Sequence, residues 1–193
     1  MLYCEKHRMV LERFLALCPP QGRILDAACG TGKYWPIILD AGRSVFGIDQ
    51  SQQMLLNARA KFPDVPTEKR GRQELEASQA FDGIICMEAL ENVSPEDWPL
   101  VLSNFHRALK PGDLLYLTVE IESGAAIRAA FLAGQQQGLP VVEGEWAHEG
   151  WYHYYPAIEQ VRAWTQEALF AILEEAEGSR SLPRRHITAT ATT

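Results

Sequence analysis

The sequence lacks closely spaced cysteine pairs, an excess of basic residues and long uncharged apolar runs. Its four cysteines form no CxxC pair, which disfavours both a zinc site and a disulfide framework. The formal net charge is -7, without clusters of Lys and Arg among aromatics, so nucleic-acid binding has little electrostatic support. No segment reaches the roughly 18 apolar residues of a membrane span, and the charged N-terminus does not resemble a signal peptide. We therefore expect a cytoplasmic protein that binds no nucleic acid, no membrane and no metal.

Composition and length favour one globular domain. The chain has 193 residues, of which 47% are hydrophobic and 22% charged, close to the average for soluble proteins. We predict a single domain over residues 1–193. Within it we expect a leading helix, a cofactor-binding core, a lid or substrate insertion, and a C-terminal helix with strands, over residues 1–19, 20–120, 121–156 and 157–193 respectively.

Helix-like and strand-like segments alternate along the chain. Apolar residues at helical spacing predict the leading helix from Tyr3 to Cys18, and further helices are predicted from Thr31 to Asp40 and in SQQMLLNARAKF, DWPLVLSNFHRALK and AIEQVRAWTQEALF. Strands are predicted in RILDAA, SVFGID, FDGIICM, LLYLTVE, AILEEAE and RRHITATAT. This alternation predicts an α/β fold: a doubly wound, Rossmann-like, mostly parallel sheet with helices on both faces.

A glycine turn follows the first predicted strand. Gly30 and Gly32 stand where strand gives way to helix, at the sheet edge where ligands bind in open α/β folds. Asp49 ends the second strand about 20 residues later, the spacing of an acid that binds ribose hydroxyls. The third glycine of a dinucleotide fingerprint is replaced by Trp35. The pattern therefore indicates a nucleoside-bearing cofactor without a diphosphate.

Four segments in order, LDAACGTGKY, VFGIDQSQQML, FDGIICMEALENV and LKPGDLLYLTVE, resemble the class I S-adenosylmethionine-dependent methyltransferase family. The resemblance implies a seven-stranded sheet with an antiparallel last strand. It also implies S-adenosyl-L-methionine as cofactor and S-adenosyl-L-homocysteine as product.

The same resemblance assigns cofactor-binding residues. The first motif supplies Asp26, Cys29, Gly30 and Gly32 near the methionine moiety, and Asp49 is the ribose-binding acid. The adenine would be flanked by Gln50 and Met54. The family's adenine-binding acid aligns with Gly71, so Gln73 or Glu74 would substitute for it; Met87 and Glu88 would line the methionine side.

An aromatic-rich segment, EWAHEGWYHYYP, lies in the predicted insertion and suits a lid over a small molecule. Its aromatic residues could instead cover the sheet edge or line a dimer interface. The candidate general bases are His148, His153 and Glu120. The candidate acceptor-binding residues are Tyr3, Trp146, Trp151, Tyr152, Tyr154 and Tyr155.

The function that these features predict is methyl transfer to an O or N atom of a small, aromatic or hydrophobic metabolite, by a monomer or homodimer. Two alternatives stay open at this point. One is a regulatory module that binds S-adenosylmethionine without transferring its methyl group. The other is a nicotinamide-dependent oxidoreductase, which Trp35 disfavours.

Overall fold

A computed structural model describes residues 5–121, 124–148, 150–178 and 184–192. The helices are α1 (Glu5–Leu17), α2 (Trp35–Asp40), α3 (Gln52–Lys61), α4 (Trp98–Ala108), α5 (Ala125–Gln136) and α6 (Ile158–Glu167). The strands are β1 (Arg23–Ala27), β2 (Ser44–Asp49), β3 (Thr67–Lys69), β4 (Phe81–Cys86), β5 (Leu109–Glu120), β6 (Glu145–His148), β7 (Trp151–Tyr154), β8 (Phe170–Glu177) and β9 (Arg184–Ala191).

Seven strands form one sheet in the order β3-β2-β1-β4-β5-β9-β8. Strands β1 to β5 pair in parallel, whereas β9 is antiparallel to both β5 and β8. The order reverses beside β1, so the carboxyl ends of β1 and β4 flank a switch point of the kind that binds ligands. The predicted seven-stranded, mostly parallel sheet and its antiparallel last strand are confirmed.

Two apolar clusters cover the two faces of the sheet. One contains α4 residues such as Trp98 and Phe105, and the other contains α1 residues such as Leu11 and Phe14, all at most 1% exposed. The central strand β4 contributes to both clusters, through Ile84 to the first and Ile85 to the second. This explains its nearly continuous apolar sequence, because successive side chains point to opposite, equally buried faces.

Three elements differ from the sequence-based predictions. Residues 31–34 form a turn, so α2 begins at Trp35 and the predicted start at Thr31 is wrong by four residues. The edge strand β3 has only three residues, too few for periodicity to reveal it. The insertion is also more regular than its sequence indicates, since it contains α5 and a hairpin of β6 and β7.

None of the helices in the described ranges combines the length and apolar character needed to cross a membrane.

Candidate functional site

Asp49 and the glycine turn meet at the carboxyl edge of the sheet. The Gly30 backbone N–H donates to Asp49 Oδ2, and the Ser51 N–H donates to Oδ1, each at 2.8 Å. Gly30 has φ +54, and a Cβ added to it would have no heavy atom within 4 Å. Asp49 therefore fastens β2 to the turn after β1, while the turn itself presents bare backbone.

A cleft of about 350 Å³ opens at this edge. It lies between the turn after β1, the end of β2 and the segment after β4. Of the eleven predicted cofactor residues, five line it: Gly30, Asp49, Gln50, Met54 and Glu88. The structure thus brings together residues that are up to 58 positions apart in sequence, because parallel strands end at one edge.

Other residues of the first motif lie beneath the cleft. Asp26 is 2% exposed, and its Oδ2 accepts a 2.8 Å hydrogen bond from Trp35 Nε1. Burial raises the pKa of the Asp26 carboxyl to about 7, and Asp49 raises it further, although the Trp35 bond lowers it. Gly32 has φ +73, and any Cβ there would lie 2.6 Å from the Trp35 ring. Asp26 and Gly32 therefore contribute to the site by holding Trp35 in place.

Besides Asp26 and Gly32, four further predicted cofactor residues do not line this cleft. Cys29 and Met87 are each 5% exposed, and burial raises the pKa of the Cys29 thiol. Gln73 and Glu74 line the neighbouring surface beyond Gly71. There the Gln73 amide donates to Asp97 Oδ2 at 3.3 Å, and Glu74 accepts from the Gly71 backbone N–H at 2.9 Å.

Glu88 is the centre of an ionic cluster on the cleft wall. Its Oε2 accepts from Lys33 Nζ at 2.5 Å and from Tyr34 Oη at 2.6 Å, and its Oε1 accepts from Arg184 Nη1 at 2.7 Å. Glu88 has φ +53, an uncommon conformation for a non-glycine residue, and its N–H donates to Thr118 Oγ1. The glycine turn and β9 therefore hold the Glu88 side chain, while β5 holds its backbone.

The electrostatics of Glu88 follow from these contacts. Burial alone raises the pKa of its carboxyl, but the bonds from Lys33, Tyr34 and Arg184 outweigh burial and lower the pKa to about 2. Arg184 also donates to Glu120 Oε1, through Nε at 2.9 Å and through Nη2. The predicted base Glu120 is therefore already paired with a guanidinium.

Two buried histidines lie behind this cluster. His7 Nδ1 is 3.0 Å from Tyr34 Oη. Since the Tyr34 hydroxyl hydrogen goes to Glu88, His7 must donate from Nδ1. The His7 ring meets the His186 ring edge-on at 5.0 Å, and His186 Nδ1 is 2.7 Å from Tyr116 Oη. Burial lowers the pKa of both imidazoles, that of His186 to about 4.

The hairpin places its predicted acceptor-binding rings in different surroundings. Tyr154 is 5% exposed and packs in the core, 6.4 Å from the Trp164 ring, whereas Trp151 is 73% exposed. The Tyr152 hydroxyl donates to Glu145 Oε1 at 2.8 Å. Trp146 is partly exposed, opposite His153 in the hairpin register. The structure therefore does not gather these rings into one apolar wall.

His153 and Tyr155 form a separate polar pair, with His153 Nδ1 3.0 Å from Tyr155 Oη. Strand β7, which carries His153, packs against the turn of residues 90–92 after β4. Tyr3 and the side chain of His148 lie outside the described residues.

Sequence reasoning missed several residues of the site. Lys33 and Tyr34 follow the glycine turn, a position that could have indicated a role at the cleft. Arg70 lines the cleft beside Gly71, the position already aligned with the family's adenine-binding acid, but Arg70 follows β3, which the sequence does not reveal. Arg184 reaches Glu88 from β9, and no local pattern predicts a contact across 96 positions. Within the described part of the chain, no His, Cys, Asp and Glu cluster could hold a metal ion.

Comparison with known proteins finds a methyltransferase domain in this chain. Residues 24–112 match the methyltransferase domain family. An uncharacterised methyltransferase of Synechocystis sp. is 30% identical over 112 residues, covering 58% of this chain and 52% of the relative. The Xanthomonas axonopodis ubiquinone biosynthesis O-methyltransferase is 29% identical over 185 residues, covering 91% of this chain and 74% of the relative.

The fold has a close structural counterpart. The crystal structure of a SAM-dependent methyltransferase from Methanosarcina mazei aligns with a TM-score of 0.77 at 20% identity, covering 99% of this chain and 98% of that one. The chain spans about half the length of the first curated relatives that it matches. The resemblance seen in the sequence is confirmed: residues 24–112 form a methyltransferase domain, and the chain has the fold of class I S-adenosylmethionine-dependent methyltransferases.

Proposed function

We propose that this protein binds S-adenosylmethionine in the cleft beside Asp49 and transfers its methyl group to an oxygen or nitrogen atom of a small metabolite. The observation that carries the proposal is the Asp49 carboxylate, held by the Gly30 and Ser51 backbone N–H groups at the mouth of the cleft. Each of its oxygens keeps a lone pair that can accept from a ribose hydroxyl.

The residues of the cleft fit the three parts of this cofactor. Asp49 would hold the ribose, and the partly exposed Gln50 and Met54 would flank the adenine. Glu88 and Lys33 have side chains that are 26% and 34% exposed, and they offer opposite charges to the zwitterionic end of the methionine moiety. Trp35, which is fully buried against Gly32, stands where a dinucleotide site needs a third glycine.

The bound cofactor supplies a methyl group on a positively charged sulfur, which is already a good leaving group. The protein's contribution is then to align the acceptor with that methyl group and to exclude water. The hairpin of β6 and β7 packs beside the turn after β4 and would cover the acceptor on that side. His153 and Glu120 would provide polar contacts there, and the ring of Tyr155 would shield the reacting atoms.

The cofactor part of the proposal is tested by calorimetric titration of the purified protein with S-adenosylhomocysteine. The Asp49→Ala variant should bind it about 10 to 100 times more weakly, because hydrogen bonds to a charged group contribute about 1.5–3 kcal/mol. Asp64→Ala, which removes an exposed carboxylate away from the cleft, is the matched control and should bind like the wild type.

NAD(H) serves as the competing ligand in the same titration. Binding of S-adenosylhomocysteine without binding of NAD(H), lost in Asp49→Ala alone, supports the proposal. Binding of NAD(H) alone, or equal affinities in the two variants, would contradict it.

A further inference from the structure

A buried carboxyl oxygen beside the cleft has no hydrogen-bond partner among the described residues. Glu91 lies in the turn of residues 90–92 after β4 and is 8% exposed. Its Oε2 is buried and makes no hydrogen bond. Such an atom is costly, since an unsatisfied buried polar group loses its hydration without compensation. A hydrogen-bond donor from outside the described residues would satisfy it.

Of the three carboxylates Glu88, Glu91 and Glu120, only Glu91 has no ion pair with a described residue. Lys33 is bound to Glu88, and Arg184 is shared between Glu88 and Glu120. Arg184, the guanidinium whose charge acts on Glu91, therefore already has anionic partners. Glu91 makes no ion pair with any described residue, so its neighbourhood favours a ligand that donates a hydrogen bond and disfavours an anionic one.

The surroundings of Glu91 come from three elements of the acceptor side. The Glu91 carboxyl lies close enough to Glu120 on β5, Arg184 on β9 and His153 on β7 for their charges to change its pKa. The charge of Glu91 in turn raises the pKa of the Tyr155 hydroxyl. Burial raises the pKa of the Glu91 carboxyl, and Glu120 raises it further, while a backbone hydrogen bond, Arg184 and His153 lower it. A carboxyl with a raised pKa is a better proton acceptor near neutral pH than an exposed one.

We propose that Glu91 is the acceptor-binding carboxylate: its Oε2 accepts a hydrogen bond from an O–H or neutral N–H group of the acceptor and takes that proton during methyl transfer. The acceptor's O or N lone pair forms the new bond to the methyl carbon as the carbon–sulfur bond breaks, and that electron pair stays on sulfur. The proton ends on Glu91, so charge and atoms balance. The substrate class is a small protic acceptor, which sharpens the proposed function on which this inference rests.

The test measures binding to the complex with S-adenosylhomocysteine, by calorimetry, for two matched probe pairs. Catechol and 1,2-dimethoxybenzene differ in their O–H groups, and aniline and N,N-dimethylaniline differ in their N–H groups. We expect the wild-type complex to bind the protic member of at least one pair at least tenfold more tightly than its methylated partner. A preference within the catechol pair would indicate a hydroxyl acceptor, and a preference within the aniline pair would indicate an amine acceptor.

Glu91→Leu should abolish this preference, and Glu91→Gln should weaken it, with S-adenosylhomocysteine affinity unchanged in both. Glu96→Gln makes the same chemical change at an exposed position five residues along and should behave like the wild type. With S-adenosylmethionine, Glu91→Gln should methylate the preferred probe at least 100-fold more slowly, the usual contribution of a general base. Glu91→Asp should recover part of the rate.

Equal binding of both members of each pair, including failure of all four to bind, overturns the inference, because Oε2 would then hold only an ordered water. So does a preference that survives in Glu91→Leu. Failure of the wild type to bind S-adenosylhomocysteine would instead refute the proposed function, so the two failures are distinguishable.

Discussion

Helices α4 and α5 are similar in length and apolar content, yet they are packed very differently. In α4, six of 11 residues are buried, among them Trp98 and Phe105. In α5, 12 residues with a single charged side chain, Arg128, bury only Gly134. α4 is packed on the sheet beside the cofactor cleft, whereas α5 belongs to the insertion and mainly contacts β6.

This difference indicates two levels of local stability. The region of α4 and the cleft beside Asp49, called the cofactor side below, has a dense core. Removal of any large side chain from this core leaves a cavity. The insertion has few buried contacts, and such segments open locally at a lower free energy. The proposed function would gain from this division, because an acceptor must enter and leave while the cleft beside Asp49 keeps its shape.

The largest expected loss of stability comes from a substitution in the core of α4. Phe105→Ala should lower the free energy of unfolding by about 3–5 kcal/mol, because Phe105 is fully buried in α4. The same change in α5, Phe131→Ala, should cost less than about 1 kcal/mol, since Phe131 is only partly buried. Urea denaturation of both variants measures the pair. Similar losses would show that α5 is as tightly packed as α4.

The second effect concerns pH and the buried histidines behind the cleft. The folded-state pKa of His186, about 4, is below its unfolded value of 6.5, so the unfolded chain binds more protons between these values. His186 therefore destabilises the fold as pH falls through 6.5 toward 4, by up to about 3 kcal/mol. His7 acts in the same direction.

Asp26 acts in the opposite direction, because its folded-state pKa of about 7 lies above the model-compound value of 3.8. The stability difference between wild type and His186→Gln isolates the histidine. It should increase in favour of the wild type from pH 4 to pH 6.5, measured by urea denaturation. A difference that is independent of pH would show that His186 titrates normally in the folded protein.

The third effect concerns Arg184 on β9, which forms ion pairs with Glu88 at the cleft and with Glu120 at the end of β5, where the insertion begins. Arg184→Met should cost about 2–3 kcal/mol of stability. This is below the roughly 3–5 kcal/mol of a fully buried pair, because the carboxylates keep some exposure. S-adenosylhomocysteine affinity should also fall.

Arg184→Lys should recover part of both losses, since a point charge replaces the two-sided guanidinium. Arg128→Met on exposed α5 is the control and should stay within about 0.5 kcal/mol of the wild type. If Arg184→Met matches this control in thermal and calorimetric measurements, the ion pairs of Arg184 with Glu88 and Glu120 contribute nothing to stability or to ligand affinity.

The smallest expected change in stability comes from a substitution in the β6–β7 hairpin of the insertion. Trp151→Ala should change the free energy of unfolding by less than about 0.5 kcal/mol, because Trp151 is 73% exposed. A loss of 2 kcal/mol or more in chemical denaturation would mean that the ring is packed in solution, for instance against a second copy of the chain.

Sequence patterns predicted that the Gly30 turn and Asp49 lie at one sheet edge, because the signals for this arrangement are local. The Gly30 turn and Asp49 occur at strand ends that the apolar runs already reveal, and parallel topology brings those ends together. The acceptor side depends on contacts between distant positions. The aromatic-rich segment predicts a lid over a small molecule, and nothing in its sequence indicates that strand alternation places Tyr154 in the core and His153 on the other face.

The bond between Arg184 and Glu88 also has a consequence for synthesis. Glu88 leaves the ribosome 96 residues before Arg184, an interval of about 5–20 s at ordinary elongation rates. Throughout that interval the half-formed cleft holds a carboxylate whose guanidinium partner does not yet exist. The nascent chain should therefore acquire full cofactor affinity only after β9 has been translated and has joined the sheet, so that ligand capture reports the completion of folding.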